Sequence, residues 1–318
     1  MMNLLKPVED RGYPAEYLIS RIRGKRAALI SDWTPLVFSG APFEYPDSSL
    51  RSGFVSERSP EGVWRDLMKE YRWVYLRMNS ELREIFRPFF LHLELRTIFI
   101  CLRNIKGGKT VETRNVLSAS LLSEDIKKVL TGRADILSAV SVIEKGFLTL
   151  SEAFSGIADV CGREGLKGFE RELTVRYLVA TARSGLDPLM KNFFVRIIDS
   201  RNIISLYKYL RLGPITGPSF IPCGSIGEAV FLRIIERKDI ALVDRLAGTK
   251  GAGPGQLNVE SALYRKMTVF LRKAGRDPLG IGPVLDYLWR ISLEAMNLSI
   301  LYYGRDLERE TVKGEMVY

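Results

Sequence analysis

The chain has almost none of the residues that most often carry nucleophilic or metal chemistry. It holds one histidine, His92, and three cysteines, Cys101, Cys161 and Cys223. The cysteines are widely spaced and form no Cys-x-x-Cys pair, so they read as free, packed thiols of a reducing compartment rather than zinc ligands or a disulfide framework. No apolar run approaches the roughly 18 residues that a membrane-spanning helix needs. The densest, Ile98-Phe99-Ile100-Cys101-Leu102, is bounded by Arg96 and Arg103. Residues Met1 to Arg11 lack the basic-then-apolar order of a secretory signal, and the chain reads as cytoplasmic. Alternating runs bounded by turn residues, which mark β-hairpins, are nearly missing too. No Ser/His/Asp set, zinc pattern or kinase signature occurs, so no catalytic, cofactor-binding or metal residue is assigned.

What is present suits a packed helical protein. Of 318 residues, 46% are apolar and 26% charged, the balance of an ordinary globular chain with a sizeable core. Fifteen Phe, 13 Tyr and 4 Trp supply anchors for that core. The net charge of +10 bears on partners: nucleic acid, an anionic lipid surface or an acidic protein. The basic residues are dispersed, as in Arg21, Arg23, Lys25 and Arg26 or Arg65, Lys69 and Arg72, which reads as solvated helix faces.

Helical periodicity dominates. Trp64, Leu67, Met68, Tyr71, Val74 and Tyr75 form one buried stripe, and Leu173, Tyr177, Leu178 and Thr181 continue the style, as do Leu263, Met267, Phe270 and Leu271. Superimposed on this period is a longer one of about one hundred residues, too long for a solenoid repeat. An acid is followed three positions later by Asn or Thr and then an aliphatic residue: Glu94, Thr97, Ile98; Asp199, Asn202, Ile203; Glu294, Asn297, Leu298. Aromatic or apolar residues lead in, with Phe89-Phe90 and Phe193-Phe194 in the first two copies, and Gly107, Gly213 and Gly304 follow as helix caps. Asp187-Pro188 and Asp277-Pro278 precede the later copies, each expected to cap and restart a helix with Pro in its first turn.

These signals predict an all-α chain of three similar tandem helical units, 1–112, 113–217 and 218–318. Each unit has a leading amphipathic segment (Tyr17–Ile30, Ser123–Leu130, Ile226–Arg237), a middle helix (Val63–Arg77, Phe169–Ala182, Val259–Lys273) and a motif helix. Breaks fall at Thr34–Pro60, Leu212–Gly224 and Gly248–Gln256, the first long enough for a functional loop.

An acid and an amide three residues apart share a helix face, where they can bond a neighbouring helix or loop. A catalytic pair has no reason to occur three times, so Glu94, Thr97, Asp199, Asn202, Glu294 and Asn297 read as a structural repeat motif. His92 lacks the Glu-x-x-His spacing of a di-iron bundle and reads as a packed helix residue. Arg103–Thr110 carries Gly107-Gly108-Lys109-Thr110 but lacks the first glycine of a phosphate loop, and its glycines end a helix. Gly251–Gly255 reads as a flexible loop rather than a dinucleotide fingerprint.

The triplicated pattern resembles the C-type subunit of prokaryotic V/A-type ATPases, the counterpart of the d subunit in eukaryotes. That family has an aromatic-rich approach to Asp/Glu-x-x-Asn-Leu/Ile in repeated helical domains. Asp199, Asn202 and Ile203 match it, as do Glu294, Asn297 and Leu298; Thr97 departs from it, and Ala134–Gly168 aligns with nothing in it. Tyr17, Ser20, Arg21, Ile22 and Arg23 are similar to the family's opening segment, and Asn297 through Gly304 to Glu310 to its closing helix and tail. The resemblance implies three domains in a pseudo-threefold funnel. It implies a non-catalytic central-stalk adaptor, peripheral on the cytoplasmic side of the membrane and without cofactors. Its partners would be the membrane proteolipid ring and the shaft subunits D and F, and it would couple ATP hydrolysis or synthesis to proton or sodium transport. The alternative from another class is a basic helical scaffold that binds nucleic acid. Only the net charge supports it; no helix-turn-helix or RNA-recognition signature accompanies that charge.

Overall fold

Side-chain caps start many of the helices. The computed structural model describes residues 3–38, 60–132, 135–213, 217–249 and 258–317, and among these it contains α-helices, one short 3-10 turn and no strand. The helices are α1 (Ala15–Ala27), α2 (Thr34–Phe38), α3 (Pro60–Arg77), α4 (Ser80–Lys106), α5 (Thr110–Ser118), α6 (Glu124–Thr131), α7 (Ile136–Leu148), α8 (Ile157–Arg183), α9 (Pro188–Leu212), α10 (Glu228–Arg237), α11 (Ile240–Ala247), α12 (Val259–Ala274), α13 (Gly282–Tyr303) and α14 (Arg309–Glu315). Asn79, Asp135, Asp239 and Asn258 each accept a backbone N–H of the first turn that follows, at 2.7–3.1 Å, satisfying donors that the helix itself cannot. The all-α reading holds. Most of the expected break at Thr34–Pro60 and all of Gly251–Gly255 lie outside the described residues.

The chain packs as two compact units, Met1–Tyr13 with Arg72–Phe194, and Pro14–Tyr71 with Val195–Tyr318. The core of the first is aromatic. Phe89 and Phe90 meet edge-on at 5.5 Å, as do Phe193 and Phe194, and Phe89 lies 5.7 Å from Phe193. The aromatic approaches to the first two motif copies therefore touch each other. Each buried Phe contributes about 1.5–3 kcal/mol. His92 packs here, 5.8 Å from Phe194 and 6.2 Å from Tyr177. Arg83 gathers carbonyls of the leading segment, donating to Val8 at 2.8 Å and Asp10 at 2.5 Å while its Nε reaches Met78 at 2.9 Å. Gly12 fits only as glycine: its φ is +71°, and a Cβ would stand 2.1 Å from the Met78 carbonyl oxygen.

In the second unit, Ile203, Leu206, Phe231, Ile234, Val243 and Leu263 form one core. A polar seam ties α1, α3 and α13: Lys25 pairs with Glu70 at 2.9 Å, and Tyr287 donates to Glu70 at 2.9 Å. Burial raises the Tyr71 phenol strongly, and its hydroxyl donates to Leu288 at 3.2 Å.

One local expectation needs correction, the helix start at Asp277-Pro278, and the helices refine two others. The sequence boundary at residue 112/113 falls inside α5. The middle helix Phe169–Ala182 is the second limb of α8, whose 27 residues are broken at Gly165 (φ 71°, ψ −173°), a conformation only glycine adopts readily. Asp187-Pro188 starts α9 as expected, Asp187 accepting the Leu189 N–H at 2.8 Å. Asp277-Pro278 does not start a helix. Asp277 accepts the Leu279 N–H at 3.0 Å in a local turn, and α13 begins at Gly282-Pro283.

Candidate functional site

Each motif copy sits within a long helix: Glu94 and Thr97 on α4, Asp199 and Asn202 on α9, Glu294 and Asn297 on α13. All six side chains are buried, so each carboxylate requires donors. Glu94 accepts the Leu121 N–H at 2.5 Å and the Ser120 hydroxyl at 2.8 Å. Asp199 accepts the N–H and hydroxyl of Ser225 at 2.8 and 2.5 Å, and the Ile226 N–H at 3.2 Å. In both copies the donors lie 26 and 27 residues beyond the acid. Glu294 takes the N–H of Ile30 at 2.9 Å, a residue 264 positions earlier. Leu121, Ile226 and Ile30 each precede a short helix, α6, α10 and α2. The acid thus pins the loop that feeds that helix.

The amides act differently from the acids. Asn202 donates to the Ile221 carbonyl at 2.9 Å and accepts the Ile221 N–H at 2.8 Å. Asn297 does the same to Val317, at 2.6 and 3.0 Å. A primary amide carries one acceptor and two donors, so it can bracket a peptide as a neighbouring strand would. Threonine cannot. The position 19 residues past Thr97 lies inside α5, where backbone groups are already paired. Around Leu121 the backbone of Leu4–Lys6 supplies the pairing: Lys6 donates to Leu121 at 2.7 Å and Ser123 to Leu4 at 2.9 Å. Burial pushes the Glu94 carboxyl above its ordinary range, opposed by the bonds from Leu121, Ser120 and Thr97.

The six residues do not converge on one centre. Glu294 and Asn297 border a recess of about 30 Å³ with Trp33 and Arg290, room for about one water rather than a substrate. Among the described residues no group of three His, Cys, Asp or Glu could hold a metal ion. Cys101 and Cys161 are buried free thiols, the former pushed up to about 12 by burial, a setting that suppresses thiolate chemistry. In place of a phosphate loop, Gly107 and Gly108 turn the chain from α4 into α5. No helix among the described residues is long and apolar enough to cross a membrane.

Two features are not visible in the sequence. The acid partners Ser120, Ser225 and Ile30 have no signature beyond their offset, which appears only once the acids are aligned. The arginines that look dispersed along the chain include Arg23 and Arg26, which meet Arg276 and Arg290 around a cavity in the second unit.

Similarity to known proteins bears on the same residues. Positions 61–314 match the family model described as ATP synthase (C/AC39) subunit. Two curated relatives, each named as the C subunit of a V-type ATP synthase, come from two strains of Thermus thermophilus. Each is 27% identical over 252 residues, covering 76% of this chain and 76% of the relative.

Proposed function

Since the chain belongs to the ATP synthase (C/AC39) subunit family, we propose that it is part of a rotary V-type ATP synthase and serves there as the central-stalk adaptor. In this role it joins the rotating shaft, subunits D and F, to the proteolipid ring of the membrane sector, and performs no catalysis itself. ATP hydrolysis or synthesis is thereby linked to proton or sodium movement. The observation that carries the reading is the family match across residues 61–314.

The geometry is consistent with a transmission part. A torque-bearing adaptor needs stiffness, and buried charge-assisted bonds from helix to loop provide it. The motif acid supplies such a bond in all three copies, which we read as one latch in three similar helical units of a socket. Every acid accepts at least one backbone N–H, which suits a structural role for the motif better than acid–base work. Lying at the membrane needs no spanning helix when the grip is on a ring of other chains.

The test is reconstitution. Membranes lacking this chain should release shaft from ring, and adding the purified chain to sealed vesicles should restore ATP-driven ion transport. A chain that binds neither the ring nor D and F, while transport proceeds without it, refutes the proposal.

A further inference from the structure

The second unit gathers guanidinium groups around one open cavity of about 560 Å³. Arg23 and Arg26 reach it from the last turns of α1, Arg276 from the turn after α12, and Arg290 from the middle of α13; Ser31 and Gly275 complete its polar wall. Arg272 adds a further positive charge that bears on Arg290. The balancing carboxylates are few. Asp286, fully buried, stands 3.2 Å from Arg26, and Glu294 is engaged with the Ile30 N–H. No carboxylate among the described residues lies within ion-pairing distance of Arg23, Arg272, Arg276 or Arg290.

Such crowding is unfavourable for the chain alone. Like charges at close range repel: burial first, then Arg272 and Arg26, make the Arg290 cation harder to hold, while Asp286 and Glu294 oppose this in part. Arg26 is held there by a second bond, donating to the Gly275 carbonyl at 3.0 Å and so locking its fork at the cavity wall. Asp286 has no hydrogen-bond donor of its own, so it offsets one charge without closing the network.

We propose that this cavity is a binding site for a multiply charged phosphate-bearing anion. Guanidinium forks match the oxygen geometry of phosphoryl groups and stay charged at all relevant pH values, which lysines in a desolvated place do not. The volume exceeds that of one phosphate and falls within the range of small-ligand pockets. The lining is almost bare of large apolar groups, Leu29 being the exception, which disfavours a hydrophobic ligand. The phosphate can come from a free di- or polyphosphate or from a lipid headgroup.

The experiment uses the full chain and pyrophosphate as the probe, titrated by calorimetry at constant ionic strength so that general screening is held fixed. The test variant is Arg23→Gln with Arg276→Gln, both exposed residues whose loss leaves the core intact. The control is Lys109→Gln with Arg114→Gln, exposed and in the other unit, with the same change in net charge. Saturable binding to one site, weakened on the order of tenfold or more in the test pair and unchanged in the control, supports the site. A second arm measures co-sedimentation with phosphatidylcholine vesicles containing or lacking phosphatidic acid. Sedimentation that depends on phosphatidic acid and that pyrophosphate competes away assigns a phosphomonoester headgroup; pyrophosphate binding without sedimentation assigns a free anion. No saturable pyrophosphate binding, or equal loss in test and control pairs, overturns the proposal. Neither outcome touches the adaptor reading, which the reconstitution tests separately.

Discussion

Replacing Asn297 by Asp changes one atom of a buried bracket. In the native chain the Asn297 amide donates to the Val317 carbonyl at 2.6 Å and accepts its N–H at 3.0 Å, with both residues at 1% exposure. The substitution keeps the acceptor and turns the donor into an oxygen that faces a carbonyl. Losing the bond leaves that carbonyl unpaired, about 1–3 kcal/mol. Ionising the new carboxyl there brings the penalty to about 3–5 kcal/mol, typical of an uncompensated buried charge. The folded-state pKa of the introduced group must therefore rise above its unfolded value of about 3.9. The sign follows. Below that unfolded value the carboxyl is protonated in both states and its O–H can donate to Val317, so the deficit shrinks to about 1 kcal/mol. The variant then loses stability progressively as pH rises through the folded pKa, and the deficit is complete above it. Urea unfolding of wild type and variant, followed by tryptophan fluorescence near pH 4 and pH 7 (both roughly bracketing that transition), reads the difference. Hydrogen exchange at residues 316–317 localises it. A deficit equal at both pH values, or well under 1 kcal/mol at neutrality, refutes the account of the bracket. The same change at Asn202 should cost less, because its partner Ile221 is only half-buried and water can take over.

Glu94→Ala strands the Leu121 N–H and the Ser120 hydroxyl and should destabilise by about 2–5 kcal/mol, whereas Glu94→Gln retains an acceptor and loses far less, as denaturant titration will show. Because burial raises the Glu94 pKa, its native stabilisation is present below the unfolded carboxyl value of about 4.3 and fades as pH rises through the folded one. The Gln variant should therefore gain on wild type with rising pH; a steady loss would contradict the burial argument. Gly12→Ala forces a Cβ onto the Met78 carbonyl at positive φ and should cost about 3 kcal/mol or more, while Gly24→Ala, in an open position on α1, should stabilise by about 0.5–1 kcal/mol, both read from thermal midpoints. Arg83→Ala releases three carbonyls at once, and amide exchange at residues 8–12 should accelerate by at least about tenfold with α7 and α8 unaffected.

The helices were legible because their signals are local. Apolar stripes such as Trp64 to Tyr75 have one dominant period, and a cap such as Asp187 before Pro188 announces itself within a turn. The motif acids could be found by repetition, yet their purpose could not, since Ser120, Ser225 and Ile30 are ordinary residues until a fold carries them to the carboxylate. Asp277-Pro278 misled for a local reason. Pro278 and Leu279 precede Gly280 and Gly282, and two glycines let the turn run on before α13 begins. Gly282 itself approaches the Ala274 carbonyl so closely that a Cβ would stand 2.1 Å away, a constraint visible only in three dimensions. The arginine cavity was hidden by distance along the chain. Arg26 donates to Gly275 across 249 residues, and no window over the sequence joins them.

The bond from Ile30 to Glu294 also sets an order of events on the ribosome. Chains emerge at about 5–20 residues per second, so Ile30 waits roughly 10–50 seconds for the carboxylate that will hold it. Glu94 and Asp199 meet their serines within a few seconds on the same scale. The first unit, apart from its short leading segment, is contiguous and can close while residues 14–71 remain without their later partners. Those residues include Trp33, Val63, Leu67 and Tyr71, all buried at the end. During synthesis they are the chain's exposed apolar surface, and they are where a chaperone, or a neighbouring nascent chain, has longest to act.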